Sequence, residues 1–321
     1  MNTTTKSKYV GISSRDAFGK QLIELAKEYP NIVAVTADLA SSTRLVEFKK
    51  EFPDRQFNFG IAEQNTMGAA AGLALAGKTP FVCTFAAFAS MRACEQARTD
   101  VAYNDLPVRI CASHGGLGLA AGGATHHSLE DLAIYRTMPG MTVLVPADSV
   151  QAAALVRASM ALEGPSYLRL SRPTEPTVYT EDRDFQIGKA DILKTGKDLT
   201  IIAIGGMVGY SLQAIEALEK EGLKVGLINA YTLKPFDRET IAAAARASGA
   251  LMTVEEHNII GGLGSAVAEV LAEEGIAVPF RRHGVLDHFT TSAPYEDLIR
   301  HYYLDADGIA QTARQFIQKK S

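Results

Sequence analysis

Apolar positions along the chain switch repeatedly between two spacings. Over 16–29 they recur at helical intervals (Ala17, Leu22, Leu25, Ala26, Tyr29), behind Ser13 and Ser14, which can cap the start. Residues 32–37 form a nearly unbroken apolar run of strand length ending at Asp38, as a parallel strand buried on both faces reads. The alternation then repeats, with a small-residue helix over 64–77, a strand over 81–85, a helix over 89–103 and a strand over 108–112. After a glycine-rich loop at 115–123, Ser128 and Asp131 read as a capping pair for the next helix. Strands over 141–145 and 167–170 enclose a helix over 149–161.

Residues 173–184, PTEPTVYTEDRD, carry two prolines, several charges and no periodicity, so 173–190 is expected to be an inter-domain linker. Beyond it come strands over 199–204, 225–228 and 251–254, helices over 208–220 and 240–247, and a glycine turn at 261–264 before a helix over 265–272. Strands alternating with helices predict an α/β protein with two doubly wound domains and mostly parallel sheets, 8–172 and 191–321. Length agrees, because 321 residues exceed the roughly 250 to 300 at which one core stops growing.

Composition narrows the function. With 47% hydrophobic and 21% charged residues the chain is of globular type, and a net charge of −4 offers nothing to a polyanionic backbone, so nucleic acid is excluded as the expected partner. Cys83, Cys94 and Cys111 have no CxxC spacing and two lie in apolar runs, which predicts reduced thiols and a cytoplasmic protein. No signal-like or membrane-spanning apolar stretch is present, so a membrane is not an expected partner either.

Four polar clusters fall at strand ends, where open parallel sheets place ligands. Glu63 follows a glycine turn and opens a helix, where a carboxylate is commonly no more than a partner for the helix dipole. The small residues of 67–72 tilt the balance, since they allow another backbone to approach closely. Phe85 and Phe88 leave a strand three residues apart and by themselves read as core packing. His114, His126 and His127 bracket the glycine loop, a pattern harder to assign to packing. Arg15 and Arg172, each beside a serine, could join Ser42 in a phosphate site, because guanidinium forks match phosphate oxygens. Glu255, Glu256 and His257 read as a solvated strand terminus rather than a metal site, and no metal ligand is assigned in this chain.

Taken in order, ADLASS (37–42), FGIAEQNTMGAAAGLAL (59–75), TFAAF (84–88), SHGGLG through GATHH (113–127) and LSRP (170–173) resemble the middle and C-terminal domains of transketolase, over essentially the whole chain. The resemblance implies a thiamine-diphosphate-binding fold followed by a transketolase C-terminal-like domain. It implies that Glu63 hydrogen-bonds the cofactor aminopyrimidine, favouring the imino form that deprotonates the thiazolium carbon. It further implies that Phe85 and Phe88 pack on the pyrimidine, with Asp38 nearby, and that His126 contacts substrate oxygens at the reacting carbon. His114, Arg15, Ser42 and Arg172 correspond to the residues that grip a sugar phosphate. Gly122 stands where the family usually carries an aspartate, and Met91 where it carries a tyrosine.

Such enzymes hold the diphosphate through Mg²⁺ with a Gly-Asp-Gly segment and a downstream asparagine, and that tripeptide does not occur here. The resemblance therefore implies a partner, an N-terminal transketolase subunit that supplies the Mg²⁺ ligands, in an α2β2 heterotetramer. The expected reaction is transfer of a two-carbon ketol unit from a ketose, expected to be phosphorylated, to an aldose. Two alternatives stand beside it: the β subunit of a 2-oxoacid dehydrogenase, and a non-catalytic structural subunit. Similarity to deoxyxylulose-phosphate synthase, normally one long chain, is also evident.

Overall fold

The computed structural model describes residues 6–320; residues 1–5 and Ser321, the last residue of the expected second domain, lie outside the described residues. Twelve strands are described: β1 Ile32–Thr36, β2 Gln56–Asn58, β3 Thr79–Phe85, β4 Arg109–Ser113, β5 Thr142–Leu144, β6 Ser166–Arg169, β7 Asp191–Lys194, β8 Leu199–Ala203, β9 Val225–Asn229, β10 Thr232–Lys234, β11 Leu251–Asn258 and β12 Phe280–Val285. They form a seven-stranded sheet in the order β10-β5-β6-β4-β3-β1-β2 and a five-stranded sheet in the order β12-β11-β8-β9-β7. Pairing is parallel except at two edges, where β10 runs antiparallel to β5 and β7 antiparallel to β9. Strands β1, β4 and β8 are buried at every position, as strands covered on both faces are, although β4 begins with Arg109 and ends with Ser113. The architecture is thus α/β with two mostly parallel sheets, as expected.

The edge strand β10 follows the linker in sequence yet completes the first sheet, pairing Thr232 with Leu144. Residues 173–190 hold no helix or strand and are nonetheless packed: Tyr179 and Phe185 are buried, and Asp148 Oδ2 accepts from the Val178 and Tyr179 amides at 2.8 and 2.7 Å.

Helix Ser14–Glu28 starts as the sequence indicates, with Ser13 Oγ accepting from the Asp16 amide. Three other expectations need correction. Ser128 and Asp131 do not form a capping pair: helix Asp131–Thr137 has Glu130 at its N-cap without a side-chain cap, and Asp131 is fully buried beside Arg169. The helix expected over 89–103 is interrupted by wide turns at Phe88–Arg92 and Ala97–Ala102. The Ser90 hydroxyl donates to Ala86 O at 2.7 Å and the Tyr135 hydroxyl to Ala89 O at 2.7 Å, occupying carbonyls on which a regular helix ladder depends. Finally, β11 runs to Asn258, so Glu255, Glu256 and His257 are buried strand residues and not a solvated terminus.

Candidate functional site

Helix Glu63–Leu75 opens on Glu63 itself, which is only 5% exposed. Gly60, at φ +74°, makes the turn that leads into it, in a left-handed conformation open to glycine without strain. The carboxylate faces a cavity of about 370 Å³ lined by Ile61, Ala62, Gln64 and Arg92 as well as by Glu63. Arg92 Nη1 donates to both carboxylate oxygens, at 3.2 and 3.3 Å, and its guanidinium lies over the Phe88 ring at 3.8 Å. Arg92 is missing from the sequence-based site. Local spacing does not announce it, because Phe88–Arg92 is a wide turn rather than a regular helix.

From Phe88 the site continues without a gap. The Phe88 ring contacts Phe85 at 5.8 Å between centroids and meets His126 edge-on at 5.2 Å. Phe85 in turn packs on His114 at 4.2 Å. Arg15 Nη1 lies 3.5 Å from His114 Nε2 and donates to Ser42 O at 3.0 Å. Two phenylalanines that could have been core packing thus bridge the Glu63 pocket to the arginines.

His114 is buried at φ +61°, with Nδ1 2.8 Å from Ser113 Oγ. Burial, reinforced by Arg15, Arg172 and Arg44, pushes its pKa down to about 3, so the ring is neutral at working pH. Any anion here is therefore held by guanidiniums, with the imidazole as a neutral hydrogen-bonding wall. Arg15 Nε is buried without a partner among the described residues, an unsatisfied donor beside that wall. Arg172 is exposed and is carried to the same corner because the Ser171 amide donates to Ser14 Oγ at 2.8 Å. Arg44, also missed, sits at φ +63° with Nε 2.5 Å from Asp16 Oδ1.

Asp38 is not brought to the aromatic rings. It is exposed, at φ +60°, and its Oδ1 accepts from Asn58 Nδ2 at 3.0 Å. Asn58 Oδ1 also accepts from the Gly60 amide at 3.0 Å, so Asp38 braces the turn that presents Glu63. At Gly122 a Cβ would lie 2.1 Å from Leu119 Cδ2, so in this loop leucine fills the space an aspartate would need. Met91 is 53% exposed.

The Glu63 pocket suits the pyrimidine end of thiamine diphosphate. A buried carboxylate beside an open cavity and two packed phenylalanines suit an aminopyrimidine. Among the described residues no three of His, Cys, Asp or Glu converge on a metal position.

Residues 10–176 match the family described as Transketolase, pyrimidine binding domain, and residues 188–309 match Transketolase, C-terminal domain. The chain is 41% identical to an apulose-4-phosphate transketolase subunit of Phocaeicola vulgatus, covering 96% of this chain and 98% of that one. It is 40% identical to a 6-deoxy-6-sulfo-D-fructose transketolase subunit of Clostridium sp. strain MSTE9, covering 96% and 95%. A solved structure described as "Split gene transketolase, inactive beta4 tetramer" superposes with a TM-score of 0.87 at 45% identity, covering 97% of this chain and 100% of that one.

Proposed function

The chain belongs to the transketolase family, and from that premise we propose that it is the C-terminal subunit of a split transketolase, transferring a two-carbon ketol unit from a ketose phosphate to an aldose. The single observation that carries the reading is the unbroken line of contacts from Glu63 through Arg92, Phe88, Phe85 and His114 to Arg15 and Ser42. A pyrimidine-activating carboxylate at one end and an anion site at the other give a channel for an extended phosphosugar. A monocarboxylic 2-oxoacid has no distal anion for Arg15 and Arg172 to grip, which disfavours a dehydrogenase of that substrate class.

Bound thiamine diphosphate would supply a carbanion-type nucleophile. Glu63 would hold a proton at the aminopyrimidine nitrogen, displacing Arg92 from the carboxylate. Phe85 and Phe88 would exclude water and fix the ring plane. His126, on the open side of Phe88 with Nδ1 2.9 Å from Thr125 Oγ1, would orient the sugar hydroxyls nearest the reacting carbon. Arg15, Arg172 and neutral His114 would bind the phosphate.

The diphosphate and its Mg²⁺ need a partner polypeptide, an N-terminal subunit with a Gly-Asp-Gly segment, in an α2β2 assembly. A 45% identical relative described as an inactive β4 tetramer supports that requirement. The test is co-assembly with such a partner. Ketol transfer from phosphorylated ketoses should appear only in the complex, and Glu63→Gln should abolish it without dissociating the chains. A complex that oxidatively decarboxylates 2-oxoacids, or an E63Q complex with normal turnover, refutes the assignment.

A further inference from the structure

The C-terminal domain reaches into the first domain through a side chain to which neither the family match nor the proposed mechanism gives a role. Glu256, on the buried strand β11, directs its carboxylate across the domain boundary onto the glycine loop between His114 and His126. Its Oε1 accepts from the Leu117 amide at 2.7 Å and its Oε2 from the Tyr295 hydroxyl at 3.2 Å. Fit is close: a Cβ at Gly116, φ +64°, would lie 2.5 Å from Glu256 Cδ. The loop closes on itself just there, with the Gly116 and Ser128 amides and carbonyls exchanging hydrogen bonds of 3.0 and 2.8 Å.

Arg169 clamps the same point, donating through Nη2 to Ser128 O at 2.8 Å and to Glu256 O at 2.9 Å. Two further residues of the C-terminal domain hold the far side of the loop. Thr290 Oγ1 is 2.7 Å from His127 Nδ1, and Ser292 Oγ donates to Ala121 O at 3.0 Å. Both histidines of the proposed channel stand at the ends of the segment so held.

We propose that Glu256 is a positioning residue, through which the C-terminal domain fixes the glycine loop in the register that sets His114 and His126 on the substrate channel. The inference rests on the channel reading for its kinetic consequence, although its structural half stands alone. Its neighbour supplies an internal control. Glu255 is buried too, but its oxygens accept from the Leu263 and Gly264 amides at 2.7 and 2.8 Å, capping helix Leu263–Glu273 inside its own domain.

The experiment compares Glu256→Ala, Glu256→Gln and Glu255→Ala in the full chain by hydrogen–deuterium exchange, then in the complex by steady-state kinetics. A buried hydrogen bond of 2.7 Å is lost in E256A, so the Leu117 amide should exchange roughly tenfold faster, with residues 115–128 following. In the complex KM for a phosphorylated ketose should rise about tenfold, more than kcat falls, because binding geometry is lost while Glu63 is untouched. E256Q keeps an acceptor oxygen and should restore both readouts. E255A should speed exchange in 263–273 and leave 115–128 unchanged.

Unaltered exchange of the loop in E256A, or equal loosening by E255A, overturns the proposal. If the wild-type complex shows no ketol transfer, the functional reading fails while the exchange result still decides the role of Glu256. If transfer occurs and the loop loosens with KM unchanged, the channel geometry does not depend on Glu256 and the proposal is also overturned.

Discussion

Arg15→Ala tests the anion end of the channel. Arg15 Nη1 donates to Ser42 O at 3.0 Å, which leaves other N–H groups of the guanidinium fork for an incoming phosphate oxygen. A hydrogen bond to a charged group contributes about 1.5–3 kcal/mol, which corresponds to an affinity change of roughly ten- to 150-fold. A bare Coulomb figure sets the ceiling, about 4 kcal/mol for unit charges 4 Å apart at a near-surface dielectric. The distal phosphate takes no part in bond making, so the interaction is equally strong before and at the transition state. The loss should therefore fall on KM and leave kcat nearly intact. The assay is steady-state kinetics of the assembled complex with two ketose donors that differ only in the terminal phosphate. R15A should penalise the phosphorylated donor by that factor and barely affect the other. An equal loss on both donors would show that Arg15 supports the fold or the acceptor, not the phosphate.

Arg169→Met should cost about 3–5 kcal/mol in urea denaturation, because it removes the countercharge of the fully buried Asp131 carboxylate, whose Oδ2 lies 2.9 Å from Arg169 Nε, and leaves it only the Tyr167 hydroxyl. Adding Asp131→Leu should recover most of the loss, and a cost below about 1 kcal/mol for R169M refutes the pairing. Arg92→Gln should tighten thiamine diphosphate binding to the complex, by calorimetry, by no more than about fivefold, since the arginine is half exposed and its ion pair correspondingly weak; weaker binding would mean that Arg92 helps to hold the cofactor. Burial pushes the Glu175 carboxyl up to about 8. The native state thus keeps a proton that the unfolded chain releases above about pH 4.3. The resulting stability is complete below that value and is lost as pH rises towards 8. Glu175→Gln should flatten the fall of the urea midpoint over this range, and parallel wild-type and E175Q curves would refute the shift.

The alternation of apolar spacings made the layered α/β plan legible, because a strand covered on both faces must be apolar throughout or nearly so, as 32–36 is. Family-ordered motifs then marked both ends of the proposed channel. What escaped was decided by tertiary partners. Asp131 reads as a capping residue until Arg169 lies beside it in space. The triad at 255–257 reads as a wet strand end because three polar residues in a row seldom share a buried environment, and the helix start at 263, the loop at 117 and the Tyr295 hydroxyl, all distant in sequence, satisfy its carboxylates. Arg92 went unnoticed because wide turns, which local propensity does not announce, bring its side chain onto Phe88 and Glu63.

Strand β10 has a consequence for where the polypeptide can be divided. A fragment ending at the linker would leave β5 as a naked sheet margin, with the Val145 amide deprived of the Tyr231 carbonyl, an open template for self-association. The remaining fragment would carry an orphaned ribbon of its own. The two halves are accordingly stitched into one cooperative unit, and limited proteolysis between them should release no soluble, independently folded piece.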